Sequence, residues 1–158
     1  MPDDKAQLLQ TLLLTEIPLT QALQLQVESL DDQGLRLRAP LLPNLNQERS
    51  AFAGSLNALV TLAGWGMTWS LISEAGLQAA ILIQDSRIQY LWPVHQDFSA
   101  FCPPPEPSEA QRFIRALAQK GRARLSLSAE IQADGRLLAT FAGRYVATLE
   151  PSSPACQA

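Results

Sequence analysis

The chain holds a single histidine, His95, in 158 residues. That excludes a multi-histidine metal centre. It also argues against a Ser-His-Asp triad, because His95 follows Pro93 in a strand-end turn where a side chain meets solvent. Cysteine is almost as scarce: Cys102 lies beside a proline run and Cys156 near the C-terminus. Two distant thiols make neither a disulfide framework nor a zinc pattern. A basic field is missing too. The net charge of -3 and pI near 5.1 give a nucleic acid nothing to bind. The opening residues MPDDKAQLLQTLLL lack the basic start and small-residue cleavage site of a secretory signal, so a cytoplasmic chain is expected.

One further absence shapes the fold. From Ala51 to Ser73 there is no charged residue, a length that could span a bilayer. Gly54, Ser55, Asn57, Thr61, Gly64, Gly66, Thr68 and Ser70 make it a poor lipid-facing surface, and little Lys/Arg asymmetry flanks it. A helix apolar on all sides belongs in a protein core, and no membrane partner is expected. Hydrophobic residues at 47% against 17% charged agree with a large core or a buried partner surface.

The rest of the chain reads as short elements with local turns. Asp3 or Asp4 can cap a helix carrying Leu8, Leu9, Leu12 and Leu13, which Pro18 ends. The period then drops to two: Leu23, Leu25 and Val27, then Leu35 and Leu37, alternate with polar residues around a DDQG turn, which predicts a hairpin. The apolar helix should stop near Gly76. AAILIQDSRIQYLWPV reads as a strand ending at Pro93, and DFSAFC as another. After PPPEP, Ser108 and Gln111 have capping-box spacing for a helix through Lys120 that Gly121 stops. RARLSLSAEIQ and LLATFAGRYVATL form a second hairpin around Asp134-Gly135. Residues 1–150 are read as one domain and 151–158 as a disordered tail.

Strands joined by local turns give an antiparallel sheet in an α+β chain. One uncharged helix and about six strands fit together if the sheet curls around the helix, with a short N-terminal helix and another before the last strands. Gly64 and Gly66 would let sheet side chains approach the helix axis. This is the hot-dog fold. PNLNQERSAFAGSL, LAGWGM, IQDSRIQYLWPV and KGRARLSLSAEI…FAGRYVATL also resemble, in that order, the YiiD C-terminal family of thioesterases, a branch of the hot-dog superfamily. The resemblance covers roughly residues 15 to 149. It implies hydrolysis of an acyl-CoA or acyl-carrier-protein thioester without cofactor or metal, in a homodimer whose sheets join edge to edge, with a tetramer left open. A non-catalytic thioester-binding module is the alternative. Phenylacetate-pathway hot-dog thioesterases carry an asparagine, then a histidine with two glycines at the central helix start, and an acid further on. Those positions fall at Asn46, Phe52, Ala53 and Gly54, and Thr61. The asparagine and one glycine are kept; the histidine and acid are not.

The resemblance makes the Ala53 and Gly54 amides the candidate oxyanion hole, a role that free N–H groups in a first helical turn can fill. Tight helix–sheet packing would also want these small residues. Asp85 is the candidate general base. Strand alternation puts it on one face with Ile81, Ile83, Arg87 and Gln89, and burial among isoleucines would raise its pKa. A surface ion pair with Arg87 is the other reading. Asn46 would orient water or carbonyl. Asn44 is a candidate substrate contact or a brace for the loop through an Asx turn, and Ser55 either helps start the helix or touches substrate. Arg49, and the alternating Lys120, Arg122 and Arg124, could hold carrier phosphates or be merely solvated. Phe52, Trp65, Trp69 and Trp92 are candidate walls for an acyl chain, or simply core.

Overall fold

The computed structural model describes residues 2–150 and the side chains of 4–150; the tail expected to be disordered, with Cys156, lies outside them. Helices α1 (Pro2–Glu16) and α2 (Leu19–Leu23) lead into a hairpin of β1 (Gln26–Asp31) and β2 (Gly34–Ala39). A short 3-10 turn precedes the long helix α3 (Ala53–Glu74). Then come β3 (Ala79–Tyr90), β4 (Phe98–Cys102), α4 (Pro107–Lys120), β5 (Arg122–Ala133) and β6 (Arg136–Leu149). The strands form one antiparallel sheet in the order β1-β2-β4-β5-β6-β3. The sheet curls around α3, which touches β2, β3, β4, β5 and β6. This is the hot-dog architecture. No helix among the described residues is long and apolar enough to cross a membrane.

The strands alternate as a half-buried sheet must. Leu35 and Leu37 of β2, Phe98 and Ala100 of β4, and Leu125, Leu127, Ala129 and Ile131 of β5 point inward. They meet Leu56, Leu59, Val60, Ala63 and Met67 of α3. The two helix glycines act as spacers: a Cβ at Gly64 would strike the Tyr145 hydroxyl, and one at Gly66 would strike Leu35. The β5–β6 turn puts Asp134 at φ 47° and Gly135 at φ 70°, the pair of positive angles a two-residue hairpin loop requires.

Three local expectations need correction. Leu23 is not in a strand: α2 takes Leu19–Leu23, Gln24 caps it at φ 54°, and β1 begins only at Gln26. α1 does end just before Pro18, at Glu16, and Pro18 also opens a second helix. In α4 the N-cap is Glu106 with Pro107 at the first helical positions, so the Ser108–Gln111 capping box is not made. Finally, β3 stops at Tyr90, because Leu91 and Trp92 both donate their amides to the Leu138 carbonyl, at 2.9 and 3.2 Å.

Candidate functional site

The helix start sits on a loop built by two asparagines with different tasks. Asn44 is buried, and its Nδ2 donates to the carbonyls of Leu23 (3.0 Å) and Pro40 (2.8 Å). Its own carbonyl accepts the Phe52 amide at 2.7 Å. Asn44 is thus a brace that fixes where α3 begins, not an accessible substrate contact. Asn46 is half-buried. Its Oδ1 accepts the amides of Glu48 (2.9 Å) and Ser50 (3.0 Å), and its Nδ2 donates to the Ser50 hydroxyl at 2.9 Å. The loop closes with the Asn46 amide on the Ser50 carbonyl, and Arg49 turns at φ 64° with its side chain exposed. One N–H of the Asn46 carboxamide remains for another acceptor.

Phe52 is the N-cap of α3, and its side chain offers no acceptor. The amides of Ser55 and Leu56 bond the Phe52 carbonyl at 2.9 and 3.2 Å. Those of Ala53 and Gly54 have no acceptor among the described residues, and both residues are exposed. A capping serine or aspartate could have accepted the Gly54 amide; here the positive end of the helix dipole is left open. Phe52 is 55% exposed and its ring lies over Gly54, where a Cβ would collide with it. Ser55 is buried in the first turn.

A cleft of about 320 Å³ opens beside this start, lined by Asn46, Ser50, Ala51, Ala53, Leu56 and the run Tyr90 to Val94. Its far wall is pinned from both sides. Ala51 donates to the Val94 carbonyl at 2.8 Å, and the Tyr90 hydroxyl donates to the Ala53 carbonyl at 3.2 Å. Burial raises the Tyr90 pKa. Among the described residues no carboxylate and no imidazole lines the cleft. Among the described residues no three His, Cys, Asp or Glu side chains converge as metal ligands would.

The structure thus gathers Asn46 and Ala53 in one cleft, with Gly54, Phe52 and Arg49 beside it. Asp85 and Arg122 stand elsewhere. A β-bulge at Gln84 resets the face of β3: Ile83 pairs with the inward Tyr145, whereas Asp85 pairs with the outward Arg144. Alternation therefore fails across the bulge. Asp85 points away from Ile81 and Ile83, its side chain is 57% exposed, and Arg144 Nε lies 3.4 Å from its carboxylate. It is neither buried nor paired to Arg87 as expected. Arg122 is exposed at the far end of β5, paired across to Thr148. The tryptophans also part: Trp92 lines the cleft, but Trp65 and Trp69 line an apolar groove of about 590 Å³ with Leu8, Leu12, Ile72 and Leu77. Sequence reasoning missed Ser50 and Tyr90. The tyrosine ending a long strand, just before the strand's hydrogen bonding stops, was the available signal.

Known proteins agree with this architecture. The sequence matches the YiiD_C family, described as "Putative thioesterase (yiiD_Cterm)", over residues 6–149. A "putative thioesterase" from Shewanella oneidensis is 31% identical, with 94% of this chain and 99% of that one aligned at a TM-score of 0.81. A protein of unknown function from Chlorobaculum tepidum TLS is 29% identical, with 94% and 97% aligned at 0.89. A Pseudomonas aeruginosa protein described as a probable thioesterase shares the fold at 21% identity, with 91% and 95% aligned at 0.78. The fold and these matches define a hot-dog protein of thioesterase type. Within that class, this chain belongs to the YiiD_C family.

Proposed function

We propose that the protein hydrolyses an acyl thioester carried by coenzyme A or an acyl-carrier protein, with the carbonyl bound at the start of α3. One observation carries this reading: the Ala53 and Gly54 amides are unsatisfied beside a cleft, at the positive end of a 22-residue helix. Water attacks the carbonyl carbon, and the oxyanion that forms accepts hydrogen bonds from the two amides. The carbon–sulfur bond then breaks, and the leaving thiolate takes the proton released by water. Asn46, through its remaining N–H, orients the carbonyl, while the Ser50 and Tyr90 hydroxyls hold the water. Asp85 and Arg122, exposed on the outer sheet face, have no part in this scheme.

The same reading includes a homodimer. β3 is an edge strand of 12 residues, and Leu82 on it is 71% exposed. An unpaired edge this long invites a second strand. Two copies pairing antiparallel about the middle of β3 would bring Tyr90 of each near Ala79 of the other. The cleft of one protomer would then meet the Trp65–Trp69 groove of its partner, which suits an acyl chain.

The absence of a carboxylate or imidazole from the cleft favours one second reading, a module that binds acyl thioesters without cleaving them. Ala53→Pro tests the first. Proline is welcome at a first helical position, and Phe52, at ψ 130°, already has the conformation required before it. The substitution removes one amide donor with the fold intact. Thiol release from a panel of acyl-CoAs should fall about 10²–10³-fold with an unaltered melting temperature. Turnover equal to wild type would refute the oxyanion hole, and no turnover by wild type would leave the binding module.

A further inference from the structure

The cleft beside α3 is too small to enclose a whole thioester carrier. A volume of about 320 Å³ lies at the low end for drug-sized ligands, and coenzyme A is larger. The anionic end must therefore lie at the rim, where a chain of net charge -3 repels it unless a local cation intervenes. Arg49 is exposed on the loop beside the cleft, but a second cation is held against a lining residue. The Arg136 guanidinium lies 4.8 Å from the centre of the Trp92 ring, and Trp92 lines the cleft while remaining 56% exposed.

Four of the other arginines are already engaged. Arg38 and Arg144 face Asp97 and Asp85, and Arg36 and Arg124 donate to the Gln132 and Gln84 side chains. Arg136 has no such partner among the described residues, so its N–H donors are free while stacking limits its motion. The backbone fixes both members. Leu91 and Trp92 are tied to the Leu138 carbonyl, two residues along β6 from Arg136, so the strand that presents the arginine also holds the segment bearing the ring.

We infer that Arg136, stacked on Trp92, is the anchor for the phosphate of the phosphopantetheine arm, the group that coenzyme A and a carrier protein share. This assigns the role to the cleft rim instead of the Lys120–Arg124 stretch, where α4 leads into β5. It rests on the proposed reading of the cleft as the thioester site.

The test measures binding of free coenzyme A and of pantetheine, which has no phosphate, by titration calorimetry on the full chain. Arg136→Ala should weaken coenzyme A about tenfold and pantetheine less than about twofold. Arg136→Lys, which keeps charge but not the planar fork, should fall between. The coenzyme A affinity of wild type should drop with added salt, and that of Arg136→Ala should drop less. Equal losses for both ligands, no loss for either, a larger loss in Arg122→Ala, or a wild type that ignores coenzyme A would each overturn the assignment. Binding with these signatures but without hydrolysis would retain the anchor and remove only the catalytic reading. Acyl-CoA and the same acyl group on a carrier protein both present this phosphate, so Arg136→Ala should raise KM for both, and an unchanged KM for both would overturn the assignment.

Discussion

The Tyr145 hydroxyl donates to the carbonyl of Thr61 at 2.7 Å, and it does so across the gap left by Gly64. Thr61 thereby keeps a sheet residue bonded to the middle of α3. Gly64→Ala would put a methyl group into the Tyr145 hydroxyl. It should cost about 1–3 kcal/mol, read as a lower denaturation midpoint. Tyr145→Phe should cost about 1 kcal/mol, and the double variant should cost less than the sum, because the added methyl already pushes the hydroxyl off the Thr61 carbonyl.

The same buried neighbourhood predicts an alkaline limit to stability. Burial pushes the Cys102 thiol up from 9.0 to about 12. Burial, and then the Cys102 charge, raise Tyr145 above its usual 10.0. Folding favours the neutral form of each group, so their contribution is complete below pH 9 and disappears as pH climbs through 12. Denaturation midpoints should be insensitive to these groups from pH 7 to 9 and then fall. Cys102→Ala should flatten part of that fall. A decline of equal slope in both proteins would show that the thiol is not responsible. At pH 8 a maleimide should leave native Cys102 unlabelled and modify it after denaturation.

The two loop asparagines should separate in experiment. Asn44→Ala strands the buried carbonyl of Leu23 and the half-buried one of Pro40, so about 1–3 kcal/mol of stability should be lost. Asn46→Ala, in a half-exposed loop, should cost less stability and more turnover. Equal melting temperatures for the two variants would contradict the division of labour.

Asp85 is a carboxylate in an exposed ion pair with Arg144. Asp85→Asn should change stability by less than about 1 kcal/mol and leave thioester turnover within about twofold of wild type. A loss of several orders of magnitude would bring Asp85 into the chemistry.

If β3 pairs with a second copy, Leu82→Lys should weaken that pairing by placing like charges at the joined edges. Light scattering after gel filtration should then move from the mass of two chains toward that of one. The same mass in wild type and variant would refute edge pairing through this part of β3.

Much of the architecture was legible in one dimension because each element carries its own periodicity. The uncharged run identified α3, and the clean alternation around Asp134-Gly135 identified β5 and β6. The glycines at 64 and 66 announced close packing against the sheet. These signals are local, and burial of one face per strand fixes the rest. What failed were the places where geometry interrupts a period. The bulge at Gln84 turned Asp85 outward, and backbone bonding around Pro18 made a helix where alternation suggested a strand.

The site divides in the same way. The sequence by itself determined that the uncharged helix would begin around Ala53 and Gly54; that Phe52 caps it with no side-chain acceptor was decided by the structure. Only the tertiary structure decided which groups meet there. Asn44 and Asn46 are alike in type and two residues apart, yet one faces the carbonyls of Leu23 and Pro40 and the other a cleft. Arg136 and Trp92 are 44 positions apart in sequence and stack because β6 leads back past the end of β3. Contacts between distant segments depend on strand order and register, and no local pattern encodes them.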